Sequence, residues 1–153
     1  MKTLYVIRHA KSSWDAMNVD DFERPLNERG KRDAPRMGKR LKEKEIHPDL
    51  MLTSPAKRAL STSKRIAKIL GYPKENIKTD RQLYHPDEET ILAVVQGLKD
   101  KCDHVVLCTH NPGLTDFVNT LMNGEFDIDN IPTSGVVALQ FDVEHWSDVN
   151  WGQ

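Results

Sequence analysis

His104-Val105-Val106-Leu107-Cys108-Thr109-His110-Asn111-Pro112 reads as a strand that ends abruptly in polar chemistry. Its apolar centre, Val105 to Cys108, suits burial on both faces, as the strands of a parallel sheet require. Asn111-Pro112 then offers a helix cap and a proline for the first helical position. The same device stands earlier in the chain, where the strand Asp49–Thr53 runs into Ser54-Pro55. A third apolar, β-branched run, Thr3–Ile7, stops at Arg8-His9. Between these strands lie helix-like segments, and that alternation predicts an α/β fold with a mostly parallel sheet.

Working outward, Asn27–Lys44 predicts a helix with Ala34, Met37, Gly38 and Leu41 on one stripe. Pro35 inside it is expected to kink it or delay its regular part. From Ser54-Pro55 a second helix runs to Leu70, closed by Gly71. A short strand is expected at Ile77–Thr79. Asp87, Glu88 and Glu89 open a helix whose apolar face is Ile91, Val94, Val95 and Leu98. After Asn111-Pro112, the residues Leu114, Phe117, Val118 and Leu121 form the next helical stripe. Gly135–Phe141 is the last strand, and the tail with Trp146 and Trp151 adds a turn or an edge strand. There is no repeat and no linker, and 153 residues suit one domain over 1–153.

With 38% hydrophobic and 29% charged residues, the composition is that of a soluble globular chain. The net charge of -1 gives no global field toward nucleic acid or an acidic membrane, so neither is an expected partner. Basic residues do crowd between Arg29 and Lys44, which reads as a solvated helix face or a docking surface for an acidic partner. Two cysteines, Cys102 and Cys108, are too few for a disulfide scaffold. The opening apolar run is too short for a signal peptide or a membrane span, and a cytoplasmic, reducing setting is the expectation.

In open α/β sheets, ligands bind at the carboxyl ends of the strands. The first strand delivers Arg8 and His9 there, the second Arg58 in the first turn of the following helix, and the strand 104–109 delivers His110. A cation in a first helical turn opposes the helix dipole, so Arg58 breaks a local rule at this end of the sheet. Two arginines and two histidines near helix N-termini make a pocket for a dianionic phosphoryl group. A metal is the less suitable guest, because the arginines repel it and no carboxylate accompanies His9 and His110.

Leu4-Tyr5-Val6-Ile7-Arg8-His9-Ala10-Lys11-Ser12-Ser13-Trp14 resembles the N-terminal signature of the histidine-phosphatase superfamily, in the version of SixA-type phosphohistidine phosphatases. Arg24–Gly30, Thr53–Ala59, Thr109–Pro112 and Pro132–Gly135 resemble the later blocks of that family, in the same order. The resemblance implies a three-layer α/β/α sandwich of the phosphoglycerate mutase-like type without a large cap insertion. It implies His9 as nucleophile, Arg8, Arg58 and His110 around the phosphoryl oxygens, and no metal or organic cofactor. The implied substrate is phosphohistidine in a protein or, alternatively, a small phosphomonoester handled by a phosphatase or mutase. A phosphate-binding module without turnover is the reading from a different class.

The proton donor stays open at this level. His85 follows Leu83-Tyr84, where many relatives carry a glutamate, and either donates a proton or packs beside Tyr84. Glu88 is a second donor candidate, with helix capping as its alternative, shared with Asp87 and Glu89. Arg24 either contacts substrate or pairs with Asp20, Asp21 or Glu23. Ser134 either faces the pocket or is a turn serine.

Overall fold

The computed structural model describes residues 1–14, 20–123 and 128–151. Five strands form one sheet: β1 (Lys2–Arg8), β2 (Leu50–Thr53), β3 (Lys78–Thr79), β4 (His104–Thr109) and β5 (Val136–Phe141). Their order is β3-β2-β4-β1-β5, with β5 antiparallel to β1 and the other pairings parallel. Four helices, α1 (Glu28–Glu43), α2 (Lys57–Leu70), α3 (Glu88–Gln96) and α4 (Gly113–Met122), cover the two faces.

Strand alternation decides which face each helix meets. Leu4, Val6, Val105, Leu107 and Leu52 point to one side and pack with Ile91, Val95, Leu114, Phe117 and Val118 of α3 and α4. Ile7, Val106, Cys108 and Met51 point to the other and pack with Leu41 of α1 and Ala59, Ile66 and Ala67 of α2. Small residues let α1 and α2 approach closely: a Cβ on Gly38 would sit 3.0 Å from Ile69 Cβ. Both cysteines are free and buried.

Helix ends depart from expectation in instructive ways. Asn27 caps α1 through its side chain, which accepts from the Gly30 N–H, and Asp87 caps α3 by accepting from Thr90. The two proline devices cap less directly. Helix α2 starts at Lys57, and Ser54 Oγ accepts from the Ala56 N–H at 3.2 Å. Helix α4 starts at Gly113, and Asn111 Oδ1 accepts from both N and Oγ1 of Thr115. In each case three residues separate the strand end from the helix, and the first turn begins two residues after Pro55 and one after Pro112. Pro35 lies inside α1 without ending it. The tail forms a 3-10 turn at Trp146–Asp148, with Trp146 fully buried and its indole N–H donating to Cys102 O at 2.7 Å.

One close approach sets the mouth of the strand ends. A Cβ on Gly30 would stand 2.1 Å from Lys11 O, so only glycine lets α1 rest on the segment after His9. Gly30→Ala should therefore cost about 1–3 kcal/mol of stability in urea unfolding, because backbone rather than a flexible side chain must move.

Candidate active site

The carboxyl ends of β1 and β4 are pinned before any side chain is considered. His9 N–H donates to Thr109 O at 3.3 Å, and Ser134 N–H donates to Arg8 O at 3.0 Å. Ala10 N–H donates to Thr62 Oγ1, whose hydroxyl in turn donates to Arg58 O at 2.7 Å. The segment after β1 and the first turn of α2 are thus tied through one threonine.

Around these ends lies a pocket of about 220 Å³ whose lining includes Arg8, His9, Arg24, Arg58, His85 and His110. Larger grooves exist elsewhere on the surface, but none gathers these groups. His9 is 8% exposed, and its Nδ1 lies 2.7 Å from Ala10 O. A carbonyl only accepts, so Nδ1 carries the proton and Nε2 keeps its lone pair. His110 shares a hydrogen bond of 2.7 Å with Ser54 Oγ through Nε2. The two imidazole centroids are 5.1 Å apart.

Burial, reinforced by Arg58, Arg8 and Arg24, lowers the His9 pKa to about 4 against the opposing Ala10 hydrogen bond. Burial, with His9 and Arg58 nearby, lowers that of His110 to about 2. Both imidazoles are neutral at pH 7. Several buried polar atoms here have no hydrogen-bond partner among the described residues: Arg8 Nε, Arg58 Nε, His110 Nδ1 and Ser134 Oγ. Buried groups of this kind are normally satisfied, so their concentration at one sheet end marks a place for a polar ligand.

Sequence reasoning offered Asp21 only as a possible partner of Arg24 and missed its place at the centre of the site. The residue sits in a 3-10 turn, Asp21–Glu23, inside what reads as a plain loop. Its Oδ2 accepts from Arg58 Nη2 at 3.0 Å and Tyr84 Oη at 2.7 Å, and bonds His85 Nε2 at 2.7 Å. Its Oδ1 accepts from Arg24 Nε at 3.0 Å, and its backbone carbonyl from Arg58 Nη1 at 2.6 Å. These hydrogen bonds and the arginine charges hold the carboxyl below the usual range against its own desolvation. The only sequence signal was a cluster of three acids beside Arg24.

The other candidates fall as follows. Arg24 both lines the pocket and pairs with Asp21, and its Nη1 donates to Ser12 Oγ at 2.7 Å. It also lies over the Trp14 ring, 3.5 Å from the centroid. His85 lines the pocket, stacks obliquely on Tyr84 and is half exposed. Glu88 does not line the pocket; it accepts a hydrogen bond from Thr120 of α4, in the first turn of α3. Ser134 is buried at φ 61°, and Thr133 rather than Ser134 lines the pocket.

A family model described as the histidine phosphatase superfamily (branch 1) matches residues 4–85. The chain belongs to that superfamily. Among solved structures it is similar to a candidate phosphohistidine phosphatase SixA from Agrobacterium tumefaciens, with 26% identity, 90% of each chain covered and a TM-score of 0.82. It is also similar to the protein histidine phosphatase SixA complexed with tungstate, with 25% identity, 92% of this chain and 88% of that one covered, and a TM-score of 0.81. These likenesses make it a SixA-type protein of phosphoglycerate mutase-like fold. By sequence it is 34% identical over 73 residues to a 2,3-bisphosphoglycerate-dependent phosphoglycerate mutase of Chelativorans sp. (strain BNC1), covering 46% of this chain and 35% of the mutase. An uncharacterized chloroplastic protein of Arabidopsis thaliana is 35% identical over 77 residues, 50% of this chain and 35% of its own length. The chain thus matches about a third of the length of these relatives.

The lowered imidazole pKa values have a consequence for stability. An unfolded histidine binds a proton below about 6.5, whereas His9 and His110 resist it until about 4 and about 2. Stability from these groups is therefore complete above pH 6.5 and falls as the pH drops. Between pH 7 and pH 5 the loss should be roughly 2 kcal/mol for each imidazole, read from urea midpoints at the two pH values.

Proposed function

We propose that this protein is a phosphatase that works through a phosphohistidine intermediate on His9, and that its substrate is phosphohistidine in a protein. One observation carries the mechanism: Ala10 O holds Nδ1 of His9, which leaves the lone pair on Nε2, and His9 lines a pocket with three arginines, where burial keeps its pKa low. That is the state a nitrogen needs to attack phosphorus. Arg8 and Arg58 neutralise the equatorial oxygens as charge spreads in the transition state, and neutral His110 donates a hydrogen bond to them through Nδ1. Their unpartnered nitrogens supply donors for that purpose.

The steps balance as two displacements. His9 Nε2 bonds to phosphorus while the bond from phosphorus to the leaving atom breaks. Water then attacks the phosphohistidine, releasing inorganic phosphate and restoring His9. Positive charge comes from the guanidinium groups, so no step passes through a metal.

The proton donor supports the reading of the substrate class. Among the described residues no carboxylate belongs to the pocket lining, and His85, held by Asp21, is the ionisable group at its rim. An alkoxide leaving group needs a strong acid beside it. The nitrogen of a phosphoramidate takes a proton more readily and needs less help, which favours phosphohistidine over sugar phosphates. The likeness to phosphoglycerate mutases favours a second reading, a small-molecule phosphomonoesterase or mutase. Faster turnover of glycerate or sugar phosphates than of a phosphohistidine protein would decide for it.

Incubation with a ³²P-labelled phosphohistidine protein, quenched within a turnover, should leave label on the enzyme that is acid-labile and alkali-stable. His9→Ala should carry no label and lose at least about a thousandfold in kcat. Label or full turnover in that variant would overturn the assignment of His9.

A further inference from the structure

Helices α1 and α2 hold twelve of the chain's 22 Lys and Arg residues but only three of its 23 Asp and Glu residues, a balance of +9. The remaining residues carry ten basic against twenty acidic side chains. On the opposite face of the sheet, α3 and α4 carry Glu88, Glu89 and Asp116 and no Lys or Arg. A net charge of -1 thus conceals a molecule with one strongly basic layer.

Part of this charge is favourable to the helices, with Arg40, Lys42 and Lys68 in last turns and Arg29, Lys31 and Arg36 paired within α1, but the rest opposes them. Arg32, Arg36 and Arg40 form one i, i+4 row on α1, and Lys64 and Lys68 another such pair on α2. Like charges at that spacing repel. Helix α2 has no acidic residue at all, and none of its exposed cations, Lys57, Lys64 and Lys68, has an ion-pair partner among the described residues. Beside it lies a groove of about 430 Å³ lined by Ser61, Lys64, Arg65, Lys68, Tyr72 and Lys74. Arg65 Nε in this groove is buried and has no hydrogen-bond partner among the described residues. A local cost repeated along two helices points to a role for the surface.

Resting on the phosphohistidine-protein reading above, we propose that the α1/α2 face docks an acidic surface of the phosphorylated protein and steers it to the pocket. The pocket and the face share α2. Arg58 in its first turn belongs to the pocket, and Lys64 and Lys68 follow about 9 and 15 Å further along the axis. A partner burying about 800 Å² reaches both. Nucleic acid fits less well: Tyr72 is the one aromatic of the groove, and the acidic remainder of the chain repels a long polyanion.

The test compares the intact protein with the charge-reversed variant K64E/R65E/K68E on three probes. These are an acidic protein and a basic histone, each phosphorylated on histidine with phosphoramidate, and 4-nitrophenyl phosphate. The variant should lose about tenfold or more in kcat/KM on the acidic protein, gain on the histone, and change less than twofold on the aryl phosphate. The acidic-protein rate of the intact enzyme should fall steeply as salt rises from about 0.01 to 1 M, where the screening length shrinks from about 30 to 3 Å. Equal losses on all probes, or none on the acidic protein, would overturn the docking role. So would preferential binding of a duplex oligonucleotide, or a salt-sensitive dimer in sedimentation that the variant abolishes. Absence of turnover on every probe in the intact protein would instead sink the phosphatase reading and the docking role with it.

Discussion

The site depends on how a fully buried arginine is neutralised. Arg58 is 1% exposed, and a charge so placed is tolerated only with a partner and good hydrogen bonds. Asp21 provides both, through its carboxylate and its backbone carbonyl. The same carboxylate bonds Arg24, Tyr84 and His85, so one anion fixes groups from three separate stretches of chain. Two of the five N–H groups of Arg58 are used in this way, which leaves others for an incoming oxyanion. Arginines crowded around a neutral imidazole would otherwise drive one another apart, and the geometry needed for phosphoryl chemistry would not persist.

How much of this could be read from the chain follows from what local sequence encodes. Apolar β-branched runs ending in polar residues located β1, β2 and β4, and with them the positions of Arg8, His9, Arg58 and His110. The parallel pairing of β1, β4 and β2 then places those side chains at one end of the sheet. Asp21 was legible only as one of three possible partners of Arg24, because its role at the site arises from partners 37, 63 and 64 residues away. Glu88 failed as a pocket residue because α3 directs its first turn toward α4 instead. The cap-plus-proline pairs marked the helix starts to within two or three residues. They misplaced the first turn because Ser54 Oγ also bonds His110, and Asn111 ties α4 to the segment at Asn130 and Ile131.

Backbone contacts do as much as side chains to define the pocket. Gly30 brings α1 onto Lys11, and Gly113 brings α4 against the backbone of Pro86, where a Cβ would stand 2.0 Å from its carbonyl oxygen. Both contacts lie beside residues of the pocket, His9 in one case and His85 in the other. The rigid parts of the site are thus those where two elements touch through bare backbone, and no longer side chain is available there to absorb a change.

The buried thiols carry a separate implication. Cys108 lies beneath the pocket in the layer between the sheet and α2, and burial pushes its thiol up to about 12. Oxidants attack the thiolate, and at that value almost none exists near neutrality. The nucleophile proposed for this site is an imidazole, which is likewise indifferent to peroxide at levels that disable enzymes built on a reactive cysteine. On that mechanism a rise in oxidant leaves both Cys108 and the attacking group unchanged.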